Sequence, residues 1–300
     1  MKDRLYLALF STFRWIVLHT PRKIESLFIK GLARLIYFLD AKHRHIARVN
    51  LDLAFGDEMD EAKKSEIVKK TYENLLFNLA DFVRNQGISK EELLKKVRFE
   101  DAQIADEAKK SGRPIIFITA HYGNWELISL AMAARFGPLS VVGRPLDSPV
   151  MDEILRKNRE QLDIEMIPKK GAMKSLIKAL KSGRNVGLLV DQNTAENEGL
   201  LIDFFGKEAR HTPAAAILAK RMDAVVIPAF ITTDDRETYT VTVYPPLEID
   251  KTLEKEEAIA KNVQAQAKVT EEAIRKKPDE WFWLHQRWKN RYEALYRRRA

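Results

Sequence analysis

Residues 120–126 (AHYGNWE) contain the side chains best suited to acid–base chemistry. On a straight helix, residues five apart lie about 140° apart, so His121 and Glu126 do not face each other within one helix. They can meet if His121 lies on a turn permitted by Gly123 and if Asn124 caps the helix that follows. Glu126 then fixes one imidazole tautomer and leaves the other ring nitrogen free to act as a general base.

The same spacing also has a purely structural interpretation, in which a neighbouring carboxylate satisfies an ordinary histidine. Six His and 43 acidic residues in 300 produce about one such pair by chance. The context favours catalysis, because a strand end, a turn glycine, a cap and a helix start coincide here. The other histidines have no partner at ligand spacing, and no metal or nucleotide motif is present. We therefore predict neither a metal nor a cofactor.

Apolar patterning predicts strands that alternate with helices. The predicted strands are Ile115–Thr119, Leu139–Val142, Val186–Val190, Val225–Ile231 and Tyr239–Tyr244. Helices of 10 to 15 residues separate most of them, which predicts an α/β fold with a mostly parallel central sheet flanked by helices. Ligands bind beyond the carboxyl ends of such strands. Three strands are followed by His121, Arg144 and Asp191, so we expect these side chains at one edge.

Composition excludes several classes of protein. With 45% hydrophobic and 31% charged residues, the 300-residue chain has an ordinary globular composition. The absence of cysteine excludes disulfides, iron–sulfur clusters and thiol catalysis. Of the net charge of +8, residues 1–50 contribute +7 and residues 287–300 contribute +5, which leaves the middle mildly acidic. That distribution argues against a nucleic-acid channel through the fold.

The amino-terminal 50 residues are basic and amphipathic. Residues 5–18 are largely apolar, but Arg14 interrupts them, and the run is shorter than the roughly 20 residues of a membrane span. Apolar residues recur at helical spacing across 24–39, with basic residues among them. This pattern is typical of a helix in an anionic membrane interface, and equally of helices packed on a main domain; the two can coexist. We predict an interfacial segment at 1–50 and an α/β domain at 51–300.

Four blocks, in order, resemble one known family. They are His121-Tyr122-Gly123-Asn124-Trp125-Glu126; Val142-Gly143-Arg144-Pro145-Leu146-Asp147; Asp191-Gln192 with Asp203-Phe204-Phe205-Gly206-Lys207 and Thr212; and Trp281-Phe282-Trp283-Leu284-His285 with Arg287-Trp288-Lys289. The chain resembles, over roughly residues 20–295, the late acyltransferases of bacterial lipid A biosynthesis. This lauroyl/myristoyl transferase family belongs to the HxxxxE glycerolipid acyltransferase superfamily.

The resemblance implies transfer of a fatty acyl chain from acyl carrier protein or coenzyme A to a hydroxyl of a membrane glycolipid, in the first place a lipid A precursor. His121 would abstract the hydroxyl proton and Glu126 would orient it, without a covalent acyl-enzyme. The enzyme would lie on the cytoplasmic face of the inner membrane, against its anionic surface. Substrate contacts are assigned to Asn124, Arg144, Asp191, Gln192, Phe204, Phe205, Thr212, Arg287 and Lys289.

Several assignments have alternatives. Arg144 could form an ion pair with Asp147, and Asp191 could cap the turn that follows it. Phe204 and Phe205 fit core packing as well as an acyl groove, and residues 297–299 could be only a solvated tail. Acylation of another glycolipid, such as a phosphatidylinositol mannoside, and lipid binding without turnover also remain open.

Overall fold

The computed structural model describes residues 2–297, without the side chain of Lys2. Arg298 and Arg299 of the predicted tail lie outside this range. The helices are α1 (Lys2–His19), α2 (Arg22–Leu39), α3 (Ala41–Phe55), α4 (Glu61–Arg84), α5 (Lys90–Lys96), α6 (Gln103–Lys110), α7 (Trp125–Phe136), α8 (Pro149–Arg159), α9 (Ala172–Lys181), α10 (Ala214–Met222), α11 (Lys255–Lys276) and α12 (Lys289–Tyr296). Short 3₁₀ turns lie at Gly56–Glu58 and Pro278–Glu280.

The strands form one large sheet and one hairpin. They are β1 (Val97–Glu100), β2 (Ile115–Thr119), β3 (Leu139–Gly143), β4 (Ile164–Pro168), β5 (Asn185–Leu189), β6 (Leu200–Phe204), β7 (Lys207–His211), β8 (Val225–Thr232) and β9 (Tyr239–Val243). The seven-stranded sheet has the order β1-β9-β8-β2-β5-β3-β4, and only its β8–β9 pairing is antiparallel. Strands β6 and β7 pair separately as an antiparallel hairpin.

This architecture confirms the predicted mostly parallel sheet flanked by helices. The five predicted strands occur within one or two residues of their predicted bounds. Strands β1 and β4 were not predicted, because each is a short edge strand in which exposed residues interrupt the apolar ones. Edge strands bury less of their surface than central ones, so their apolar signal is weaker.

Both faces of the sheet are buried. Along β2, Ile115 and Phe117 pack with α7, whereas Ile116 and Ile118 pack on the opposite side. Side chains alternate between the two faces of a strand, so an unbroken apolar run such as β2 fits a sheet covered on both sides. The core on the side of Ile116 and Ile118 also contains side chains from the amino-terminal helices, including Phe13 and Ile29.

Helices α1 and α2 leave a broad apolar surface uncovered. Their exposed large apolar side chains are Leu5, Tyr6, Leu7, Leu9, Trp15, Leu18, Ile24, Leu27, Phe28, Leu35, Phe38 and Leu39. Each helix therefore packs one side on the protein and presents an apolar side outward. Within residues 2–297, none of the helices combines the length and hydropathy needed to cross a bilayer.

Candidate active site

The order of the strands brings His121 and Asp191 together. Strand β2 pairs directly with β5, with Thr119 opposite Leu189, although about 70 residues separate them in sequence. Strand β2 ends two residues before His121, and β5 ends two residues before Asp191, as the sequence predicted. The carboxyl ends of adjacent parallel strands lie at one edge of the sheet.

The Asp191 carboxylate forms hydrogen bonds with both the side chain and the backbone of His121. One Asp191 oxygen, Oδ1, lies 2.9 Å from Nδ1 of His121, and the other, Oδ2, accepts the His121 backbone N–H at 3.0 Å. The indole N–H of Trp281 also donates to Oδ2, at 2.8 Å. Burial by itself raises the pKa of the Asp191 carboxyl, but the His121 charge and these hydrogen bonds outweigh it and hold that pKa well below its usual range.

This arrangement fixes the tautomer of His121. An ionised carboxylate is only an acceptor, so Nδ1 carries the proton that points to Asp191. In the neutral imidazole, Nε2 is then the nitrogen with a free lone pair, and the side-chain amide nitrogen of Gln192 lies 3.3 Å from it. The imidazole also packs near Trp125 and Phe282, with ring centroids 5.5 and 6.3 Å away. Nε2 is therefore poised to accept a proton from a hydroxyl.

Glu126 does not contact His121 in this structure; it forms a two-pronged ion pair with Arg159 of α8, at 2.8 and 2.5 Å. The carboxylate at Nδ1 is Asp191, so the structure differs here from the pairing that the sequence predicted. Trp125 packs on the His121 ring, and the next residue on a helix points about 100° away from it. Glu126 is thereby directed toward α8.

Two of the residues predicted to contact substrate form structural hydrogen bonds, and a third is largely exposed. Asn124 is buried; it caps α7 by accepting the Leu127 N–H at 3.1 Å, which confirms the predicted cap. Thr212 accepts the backbone N–H of Ala214 at 3.3 Å, at the start of α10. The side chain of Arg144 is 82% exposed, and a long 4.0 Å ion pair to Asp147 is its nearest acidic contact.

The carboxy-terminal block is mostly core. Phe204 and Phe205 are buried, and both contact Trp288, as the packing interpretation proposed. Arg287 is fully buried and donates to the Arg210 carbonyl, so it cannot meet lipid phosphates in this arrangement. Burial lowers the pKa of its guanidinium to about 10. Lys289, in contrast, is exposed at the start of α12.

Sequence reasoning missed Trp281, Arg159 and His285 as parts of this site. Trp281 anchors Asp191, and Arg159 holds Glu126. His285 accepts the Asn193 N–H at 3.0 Å, and burial lowers its pKa to about 4, so it remains neutral. None of them lies at a diagnostic spacing from its partner, so only the fold could reveal these contacts. Within residues 2–297, no group of three or more His, Asp or Glu side chains could hold a metal ion.

A small apolar cavity of about 40 Å³ lies between the sheet and α7. Trp125, which packs on His121, forms part of its wall. The lining also includes Phe117, Ile128, Met132, Val141, Leu188 and Leu189.

The fold and this site define an α/β protein with a histidine–carboxylate pair at a sheet edge. The family model described as bacterial lipid A biosynthesis acyltransferase matches residues 3–290, so the chain belongs to this family and is an acyltransferase. This confirms the resemblance that the four sequence blocks indicated.

Several lipid A biosynthesis acyltransferases are similar to this chain over most of its length. The lipid A biosynthesis lauroyltransferase of Escherichia coli (strain K12) is 27% identical over 293 residues, covering 94% of this chain and 90% of the relative. The myristoyltransferase of the same organism is 23% identical, covering 88% and 81%. Lipid A biosynthesis acyltransferase 2 of Shigella flexneri is 21% identical, covering 93% and 90%.

Proposed function

We propose that this acyltransferase moves a fatty acyl chain from an acyl thioester to a hydroxyl of a membrane glycolipid, with a lipid A precursor as acceptor. The donor is acyl carrier protein or coenzyme A, both of which present the acyl group as a thioester. The observation that supports the proposal most directly is the hydrogen bond between Asp191 and Nδ1 of His121, which makes Nε2 the acceptor nitrogen of the neutral imidazole at the edge of the sheet. The names of the relatives support the choice of acceptor.

In the proposed reaction, Nε2 of His121 takes the hydroxyl proton as the oxygen attacks the thioester carbonyl carbon. A C–O bond forms, the C–S bond breaks, and the leaving thiolate takes the proton from the imidazolium. Asp191 stabilises that imidazolium and holds its orientation. Gln192 occupies the position at Nε2 that the hydroxyl must take, so its amide moves aside or donates to the bound substrate.

The direct test is an assay of the purified protein with a lipid A precursor and either acyl carrier protein or coenzyme A loaded with the same acyl chain. Mass spectrometry of the lipid should reveal the mass of one acyl group added, and the faster of the two donors identifies the carrier. Product with a phosphatidylinositol mannoside in place of the precursor would redirect the proposal to another glycolipid. Absence of product with every acceptor would favour a lipid-binding protein without turnover.

We propose that the acyl chain of the donor enters the apolar cavity beside Trp125. Its thioester carbonyl would then lie near Nε2 of His121, and the packing between the sheet and α7 must open for the tail, because the cavity of about 40 Å³ is smaller than a fatty chain. Burying each methylene in such a cavity is worth about 0.8 kcal/mol, or about fourfold in preference. The depth of the cavity should therefore select chain length.

Substitution of Ser129, which lines this cavity on α7, tests the selection. We expect Ser129→Leu to fill space that the chain uses and to lower use of the preferred donor roughly tenfold relative to a donor two carbons shorter. Competition between donors of mixed chain length, read by mass spectrometry, measures this. Ser65→Leu, at a half-buried position on α4 outside the cavity, is the matched control. An unchanged chain-length profile in Ser129→Leu would place the acyl chain elsewhere.

We further propose that α1 and α2 hold the enzyme on the cytoplasmic face of the inner membrane as a peripheral protein. Their exposed apolar side chains lie among basic residues, such as Arg34 and Lys30 of α2. Such a surface gains free energy from apolar burial in the interface and from attraction to anionic lipids. This contact would bring the active site to acceptors that are themselves lipids.

The double variant Leu35→Ser with Leu39→Ser tests the membrane contact. Both side chains are largely exposed, at 54% and 76%, so the fold should tolerate the change. We expect binding to anionic liposomes to fall by about tenfold or more, because two buried leucines are lost from the interface. Flotation measures this. The control is Leu201→Ser with Leu295→Ser, two exposed leucines away from α1 and α2. Equal flotation of the two double variants would contradict the proposed orientation.

A further inference from the structure

A second, much wider cavity of about 710 Å³ lies beside α2. Its walls come from α2, α4, the loop at 233–237 and the segment at 277–280. The loop follows β8, which runs parallel to β2, so the cavity lies at the same sheet edge as His121. Leu27 lines the cavity and is also one of the exposed apolar residues of α2. We call this space the α2 cavity.

The α2 cavity shares a wall with the catalytic turn. Gly123, two residues after His121, donates its N–H to the Glu280 carbonyl at 2.9 Å. Asn78 of α4 donates to the Gly123 carbonyl at 2.7 Å. A group bound in the cavity therefore lies close to the active site but contacts a different set of side chains.

Basic groups at the α2 end of the cavity lack acidic partners. Among the residues that the structure describes, Arg22, Lys23 and Lys30 form no ion pair. Arg236, in the loop opposite, donates through Nη2 to Asn74, and its Nη1 is buried without any acceptor. The lining contains eight acidic and seven basic side chains. Five of the acidic side chains form ion pairs: Glu25 and Asp81 with Arg84, Asp234 and Glu280 with Lys277, and Asp279 with Lys70.

Arg22 repels two neighbouring cations at this end of the cavity. Burial, together with repulsion from Arg22, lowers the pKa of the Arg84 guanidinium to about 10. The pKa of Lys96 is also lowered, because burial and repulsion from Arg22 and Arg84 outweigh the attraction of Asp81. A bound anion would relieve this repulsion. Five carboxyl groups of the lining oppose an anion there. Glu73, Asp235 and Glu237 form no ion pair among the described residues, and the buried carboxyls of Asp81 and Glu280 attract Arg22 and Arg236.

We propose that the α2 cavity binds a phosphate group carried by a lipid headgroup, with Arg22, Lys23, Lys30 and Arg236 as its ligands. Guanidinium groups match phosphate oxygens in paired hydrogen bonds, and a phosphate would supply the acceptor that Nη1 of Arg236 lacks. The rim at Leu27 faces the surface that we assign to the membrane, so a headgroup can reach the cavity from the bilayer. The lipid source therefore rests on the proposed membrane contact, whereas phosphate binding does not depend on acyl transfer.

Vesicle binding without any acyl donor tests the site. The probes are phosphatidylcholine vesicles with and without phosphatidic acid, which carries a terminal phosphate. We expect Arg22→Ala and Arg236→Gln each to weaken binding to phosphatidic acid vesicles about fivefold or more. Arg34→Ala removes the same charge from an exposed position on α2 outside the cavity, and we expect a smaller effect. Glu73→Gln should strengthen binding, because it removes an opposing charge.

Comparison of the variants separates a site from general attraction to a charged surface. If Arg22→Ala and Arg34→Ala weaken binding equally, only the surface charge acts and the proposal is overturned. The source of the phosphate is identified by thermal melting with inorganic phosphate. A rise in the melting temperature that Arg236→Gln abolishes, without discrimination among vesicles, would assign the cavity to free phosphate rather than to a headgroup. If the wild-type protein transferred no acyl group but still bound phosphatidic acid vesicles, only the proposed function would be contradicted.

Discussion

The variant His121→Ala should lose acyl transfer by a factor of about 10² to 10⁴ or more while it keeps its fold. Nε2 of His121 is the atom that we assign to proton abstraction, and a general base is typically worth this much in rate. Turnover of a loaded acyl thioester with the lipid acceptor measures the loss. If the protein only bound lipid, the wild type would have no acyl transfer to lose, and the variant would bind lipid as the wild type does.

A second variant is needed because His121→Ala leaves the buried Asp191 carboxylate without its main hydrogen-bond partner. An unpaired buried carboxylate can be destabilising in itself. His121→Asn places an amide N–H donor where Nδ1 donates to Asp191 but offers no base, so it should lose activity to a similar degree with a more stable fold. His43→Ala, on the partly exposed face of α3, is the matched control. Wild-type turnover in both His121 variants would show that another group takes the proton.

We expect the second large effect in Asp191→Asn. Two donors, the Trp281 indole and the His121 backbone N–H, meet Oδ2. The single oxygen of an asparagine must accept from them, which turns its NH₂ group toward Nδ1 of His121. Nδ1 then becomes the acceptor, and the proton moves to Nε2, where the base should be. The wrong tautomer cost about 10⁴ in a comparable protease site, and we expect a loss of about 10³ to 10⁴ in kcat with little change in KM.

Comparison with Glu126→Gln decides which carboxylate orients the base. The prediction from sequence pairs Glu126 with His121, whereas the structure places Asp191 at Nδ1 and Arg159 on Glu126. If Asp191 orients the imidazole, Glu126→Gln should lose clearly less activity than Asp191→Asn. It should also shift the thermal stability, because it leaves the guanidinium of Arg159, which is largely buried, without its carboxylate. A greater loss in Glu126→Gln would restore the pairing that the sequence suggested.

The two variants also separate positioning from substrate contact. Asp191 is only 3% exposed, so it can act on the reaction only through His121. Its variant should therefore change kcat for every donor and acceptor alike. The side chains of Glu126 and Arg159 are partly exposed, at 17% and 24%. A change in KM for one substrate but not the other would indicate that this ion pair contacts that substrate.

The sequence alone determined the fold class, because the central strands are fully apolar runs separated by helices and such runs need both faces covered. It also predicted that His121 and Asp191 follow strands whose carboxyl ends lie at one edge of a parallel sheet, and that Asn124 caps the helix after the turn. These features depend on periodicity, turn glycines and caps, which act over a few residues. The same local character made the weak edge strands β1 and β4 invisible.

Only the tertiary structure decided which carboxylate meets the imidazole. The order of strands sets that contact, and it places β5 beside β2 although α7, α8, α9 and two strands separate them along the chain. Arg287 illustrates the same limit, because its residue type suggests a surface contact with phosphate while packing buries it completely. A side chain's partners depend on burial and on distant segments that fold beside it, and neither is encoded in local spacing.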